Sequence, residues 1–157
     1  MEFIGPGIDA IKDIVEFLTQ KSRTSNITKR LILREIRDNL KLLSHASRDG
    51  VNHLGLIEEL SNTALIRAFE EGFKFKNLRK GRVPATLVAK LNQKRGEKYG
   101  GWDTEQLVMS IEGKVNELKK LPKIYKNMST APLNLTLRLS NLYLQLRLLA
   151  LFIKGGR

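Results

Sequence analysis

The chain has 157 residues, 41% of them hydrophobic and 28% charged, a balance that suits one folded domain and excludes a disordered tail. It has no cysteine, which excludes disulfides, thiolate metal sites, iron–sulfur clusters and thiol catalysis. Lysine and arginine outnumber acids 28 to 16, for a net charge of +12, so a polyanion is the first partner to consider.

Glu2 stands where a secretory signal carries positive charge, and Gly5-Pro6-Gly7 interrupts any apolar run, so no targeting segment is expected and the expected location is the cytoplasm. Ile8, Ile11, Ile14, Val15 and Leu18 recur at spacings of three and four and predict a first helix over 8–21. A second helix is expected over 27–47, with Ile32, Ile36, Leu40 and Leu43 as its buried stripe. Asp49-Gly50 reads as a stop. A third helix then runs over 52–71, with Ile57, Leu60, Ala64, Leu65, Ala68 and Phe69 facing inward and Gly72 at the left-handed position that closes it.

A basic connector follows, over 73–82. Pro84 opens a fourth, shorter helix to about Lys94, because its fixed φ suits a first turn. The fifth helix has the clearest local signature: Asp103 as cap, Gln106 at the capping-box position, and Trp102 placed to staple onto Leu107. Leu107, Val108, Ile111, Val115 and Leu118 give it one apolar face, and Pro122 is expected to end it. The last segment, 133–153, alternates leucine with polar residues at its start, but its leucine content and the stripe Leu135, Leu139, Leu142, Leu146, Leu149, Ile153 predict a helix. Polar residues on two opposite sides suggest a helix wedged between neighbours or used at an interface. Its length would cross a bilayer, but Arg138 and Arg147 would each cost about 2.5–3.5 kcal/mol there, so no membrane span is expected. The expected fold is all-α, a single helical domain over 1–157 built as a bundle of five to six helices, with the basic connector between the third and fourth.

The excess charge is concentrated. Residues 1–71 carry ten basic and eleven acidic side chains, and residues 102–117 carry one and four. Residues 72–101 carry nine basic against one acidic, and residues 118–157 carry eight and none. Within the connector, Lys74, Lys76, Arg79, Lys80 and Arg82 fall in nine positions, a density suited to phosphate contacts and counterion release. Phe73 and Phe75 alternate with Lys74 and Lys76, so their rings can either stack on bases or pin the loop to the core. Lys119, Lys120, Lys123 and Lys126 form a second basic cluster around Pro122 and Tyr125. A nucleic-acid surface built from both blocks requires them to converge in the fold.

The two histidines, His45 and His53, have no third ligand at a metal-binding spacing, and no metal or other cofactor is expected. Arg48-Asp49-Gly50-Val51-Asn52-His53 fits Arg-(Asn/Asp/His)-x-x-x-His and so resembles the short motif of the HEPN superfamily of helical, metal-independent ribonucleases. The resemblance implies a helical bundle, usually dimeric, in which His53 would serve as acid or base and Arg48 would steady the phosphate. The same residues also read as a helix–helix turn with His53 in the next first turn. A continuous helix through Gly50 would favour the first reading.

Three functions follow from these readings. The first is a basic helical accessory module that binds RNA or DNA through the connector and the basic C-terminal third. The second is a HEPN-like endoribonuclease using Arg48 and His53, which leaves enzymatic activity an open question. The third is an interaction subunit that forms a homodimer or joins a partner protein through 133–153.

Overall fold

The computed structural model describes residues 11–46, 48, 51–91, 94–125 and 134–155. Among these the chain is all-helical: α1 (Lys12–Lys21), α2 (Ile27–Leu43), α3 (His53–Glu59), α4 (Thr63–Glu70), α5 (Ala85–Lys90), α6 (Thr104–Ile124) and α7 (Leu135–Lys154), with 3-10 turns at Phe75–Asn77 and Lys94–Tyr99. The expected all-α class is therefore what the chain adopts. None of the helices described is long and apolar enough to cross a membrane.

The periodic stripes become the core. Asn26 caps α2 by accepting from the Lys29 amide at 2.9 Å, and the helix buries Ile32, Leu33, Ile36, Leu40 and Leu43. The helix is shorter than the expected 27–47, ending at Leu43. Helix α6 begins with the expected capping box: Asp103 accepts from the Gln106 amide at 2.8 Å, and Gln106 accepts from the Asp103 amide at 2.9 Å. Trp102 stands edge-on to Tyr99, with ring centroids 4.9 Å apart, and packs at the core margin. Pro122, expected as the end of α6, lies inside its last turn, and the helix closes at Ile124. Proline lacks the amide from which the Leu118 carbonyl would accept, and α6 continues for only two residues beyond it.

Helix α7 is the central post. It packs against α1 and α2 on one side and against α5, α6 and the Lys94–Tyr99 turn on the other. Every residue from Leu142 to Ala150 is buried. The leucine stripe of 133–153 is therefore covered by the protein's own helices, and its partly exposed positions are Thr136, Leu137, Asn141 and Leu151. Residues 126–133 lie outside the described residues. Gly155 stops α7 at φ +128°, a conformation L side chains rarely adopt.

The expected third helix over 52–71 is instead two, α3 and α4, separated at Leu60–Asn62. The cause lies in α2. Glu35, buried on α2, accepts from the Ser61 hydroxyl at 2.6 Å and from the amides of Ala64 (2.9 Å) and Leu65 (3.0 Å), supplying the cap that Asn62 does not give. Asn39, one turn further along, donates to the Ser61 carbonyl (2.7 Å) and accepts from the Ser61 amide (3.0 Å). Both backbone groups of Ser61 are thus taken out of the helical ladder, and the chain turns there.

Two stability outcomes follow. Glu35→Ala leaves the first-turn amides of α4 without acceptors and should cost about 2–4 kcal/mol in urea unfolding; a cost near zero would contradict the capping role. Gln145 is fully buried on α7 with neither amide atom hydrogen-bonded among the described residues, so Gln145→Met should raise the urea midpoint by the equivalent of about 1–2 kcal/mol, and a lowered midpoint would show that the amide is satisfied.

Candidate nucleic-acid interface

The connector is launched by the end of α4. Gly72 takes φ +72°, its amide bonds the Phe69 carbonyl at 3.2 Å, and the Phe73 amide bonds the Ala68 carbonyl at 2.9 Å. This pairing closes the helix and turns the chain sharply, and a side chain at Gly72 would be strained by the positive φ. The aromatic residues then anchor the chain. Phe75 is buried, stacked at a tilt on Phe69 (4.8 Å) and edge-on to Phe73 (5.3 Å). Phe75 is therefore part of the core and not a base-stacking platform, because the Phe75–Asn77 3-10 turn directs it inward; Phe73 stays partly exposed.

Beyond the turn the connector is tied across the start of α6. The Thr104 hydroxyl donates to the Arg79 carbonyl at 2.7 Å, and the amides of Val83 and Gly101 bond the carbonyls of Trp102 and Val83, each at 2.8 Å. Arg82 and Asp103 form an antiparallel bridge, and the Arg82 guanidinium donates to the Gly101 carbonyl at 3.0 Å. Arg79 lies over the Phe152 ring at 5.6 Å and reaches the Gly155 carbonyl at 3.5 Å, linking the connector to the end of α7.

These ties leave an open cleft of about 640 Å³. Lys74, Lys76, Arg79 and Arg82 from the connector line it with Phe69 and Phe73, together with Asp103, Thr104 and Glu105 from the start of α6. Lys80 is exposed nearby without lining the cleft. Among the described residues no carboxylate is ion-paired with any of these five cations; the pairs present are Arg37–Asp38 and Arg67–Glu71. Glu105 is absent from the sequence reading of this site, and Asp103 enters it only as a helix cap. What brings them here is the fold-back of the α6 start onto Arg79, a contact across 25 positions with no local signal.

The second basic cluster is elsewhere. Lys119, Lys120 and Lys123 line a separate hollow of about 560 Å³ with Glu58, Asn116 and Pro122. Lys119 donates to the carbonyls of Glu58 (3.3 Å) and Leu60, so it caps the end of α3, where carbonyl dipoles favour a cation. Lys126 lies outside the described residues. At 1.5 Å per residue, Thr104 and Lys120 are about 24 Å apart along α6. The expected convergence of the two blocks therefore does not take in this cluster: the connector cations and Lys119, Lys120 and Lys123 sit toward the two ends of α6, with the acidic Glu105, Glu112 and Glu117 between them.

The Arg48 and His53 pair sits in a break between helices. Helix α2 ends at Leu43 and α3 begins at His53, so no continuous helix carries the motif; Asp49 and Gly50 lie outside the described residues. His53 Nε2 donates to the Ala46 carbonyl at 2.9 Å, and Asn52 caps α3 by accepting from the amides of Leu54 (3.1 Å) and Gly55 (3.2 Å). Arg48 is exposed, and among the described residues no hydrogen bond joins its side chain to His53. The imidazole acts here as a strap closing the turn.

Compared with known proteins, the chain matches no family model, no curated protein and no solved structure.

Proposed function

We propose that the protein is a nucleic-acid-binding accessory module that holds a single strand in the cleft between the connector and the start of α6. The observation that supports this reading is the gathering of Lys74, Lys76, Arg79 and Arg82 with the partly exposed Phe73 in one open cleft, none of these cations ion-paired among the described residues. Four cations in one cleft suit a phosphate backbone, whose counterions they displace. A partly exposed ring beside them offers a base a stacking face without demanding a particular sequence.

The acids at the start of α6 set the orientation. Glu105 repels phosphate, so the backbone of the strand follows the connector cations, where Phe73 stands among them to meet a base, and other bases face Glu105. A carboxylate there accepts from an exocyclic amino group, such as that of cytosine, more readily than it tolerates a carbonyl edge. The acids at the start of α6 favour an unpaired strand over a duplex, whose two backbones would bring the second line of phosphates against them.

Fluorescence anisotropy with single-stranded oligonucleotides tests the reading. Binding should weaken with salt on a slope of about −2 to −3 in log K against log salt, as expected for four cations at about −0.7 per phosphate neutralised. The triple variant Lys74→Gln, Lys76→Gln, Arg82→Gln should bind at least about tenfold more weakly at low salt and lose about two units of slope. Lys120→Gln with Lys123→Gln should change the affinity far less. Absence of binding at low salt, or equal binding by the triple variant, would overturn the proposal.

A further inference from the structure

A third group of cations, invisible as a run in the sequence, meets where α6, α7 and the Lys94–Tyr99 turn come together. We propose that the small pocket between Lys114 on α6 and Arg138 and Asn141 on α7 is a binding site for one phosphate-class oxyanion, either orthophosphate or the terminal group of a phosphomonoester.

The pocket has a volume of about 120 Å³ and is lined by Lys114, Glu117, Leu118, Arg138 and Asn141. That is well below the roughly 300–1,000 Å³ of sites for drug-sized ligands, so it admits a single tetrahedral oxyanion and no base or sugar. Its donors are already oriented. Lys114 is half-buried, with its ammonium held by the Ser110 hydroxyl at 2.9 Å and the Tyr99 hydroxyl at 3.4 Å. An ammonium has three N–H donors, so one remains for the pocket. Arg95 donates to Asn141 Oδ1, which leaves the Asn141 Nδ2 amide as the group with hydrogens to give. Arg138 stands one turn before Asn141 on the same face of α7 and is exposed at the rim.

The electrostatics favour an anion. Lys98 and Lys114 lie over the same Tyr99 ring, at 5.2 and 5.7 Å, so two like charges flank one aromatic group. Burial first, and then the Lys98 charge, hold the Lys114 ammonium below its ordinary range, with Glu117 opposing. Arg147, on the same helix, is more than nine-tenths buried, over the Tyr143 ring at 5.2 Å, with Nε and Nη2 making no hydrogen bond among the described residues. Burial disfavours its charge most, Tyr143 opposes that, and the nearby Arg95 adds to it. Glu117 is the one carboxylate lining the pocket among the described residues. An oxyanion bound by Lys114, Asn141 and Arg138 relieves this accumulation of positive charge and binds through charge-assisted hydrogen bonds. None of these residues lines the connector cleft, so the site stands or falls independently of the nucleic-acid reading.

Calorimetric titration of the full chain with orthophosphate and, separately, with phenyl phosphate, at ionic strength held constant with sodium chloride, tests the proposal. Saturable one-site binding of either ligand is expected, and tighter binding of phenyl phosphate would assign the site to phosphomonoesters. Lys114→Met should weaken binding by about tenfold or more, and Arg138→Gln, an exposed rim change that leaves the core untouched, by about three- to tenfold. Lys120→Gln should leave it unchanged. Failure of both ligands to saturate, or binding unaffected by Arg138→Gln and Lys114→Met in variants with native helical circular dichroism, would overturn the proposal.

Discussion

The carboxyl group of Glu35 crosses from the middle of α2 to the first turn of α4, and the placement of everything after residue 60 depends on that bond set. It accepts from one hydroxyl and two backbone amides, while Asn39 grips both backbone groups of Ser61 one turn away. A buried acceptor at a helix start satisfies donors that would otherwise be stranded, so it fixes both where α4 begins and how it leans on α2. Because α4 begins there, Gly72 falls where the chain must reverse, and the connector leaves at the angle that carries Arg79 to Thr104. The candidate interface is thus a consequence of a polar contact on the other side of the core.

Helix α7 supplies the rigid reference for these parts. It is surrounded by α1, α2, α5 and α6, and its leucines form the common floor of the core. Its polar residues do different work according to the side they face. Asn141 and Arg138 open onto the pocket shared with Lys114, Arg147 stacks on Tyr143, and Gln145 is enclosed without hydrogen-bond partners among the described residues. A chain with net charge +12 must distribute its repulsion over its surface, and here much of the excess is gathered at the ends of α6 and along the α6–α7 seam. Anions bound at those places stabilise the folded state by mass action as well as by contact.

What the sequence makes legible is what local chemistry decides. The capping box at Asp103 and Gln106 needs only four adjacent residues, and the stripes of α2, α6 and α7 need only the helical period. The Gly72 turn is legible for the same reason: a glycine after an apolar helical run, followed by phenylalanine, specifies its own hydrogen bonds. The split between α3 and α4 is not legible, because Ser61 turns only when Glu35 and Asn39 arrive from α2, and the apolar pattern runs through Leu60 to Ala64 without interruption. Pro122 misleads by two residues: it marks the end of α6, but the helix closes at Ile124. The charge run of the connector places Lys74, Lys76, Arg79 and Arg82 around one cleft, with Lys80 outside it. The charge runs cannot foresee that Lys119 is spent on the end of α3, nor that Arg95, Lys98, Lys114 and Arg138, from three separate segments, gather at one seam.

Hydrogen exchange at the first-turn amides of α4 tests this account most directly. Amides at a helix start ordinarily exchange quickly, since they lack an intrahelical acceptor. If Glu35 organises the core, the Ala64 and Leu65 amides exchange as slowly as those in the middle of α2, opening only with global unfolding. Exchange at those two positions as fast as at the exposed starts of other helices would contradict it.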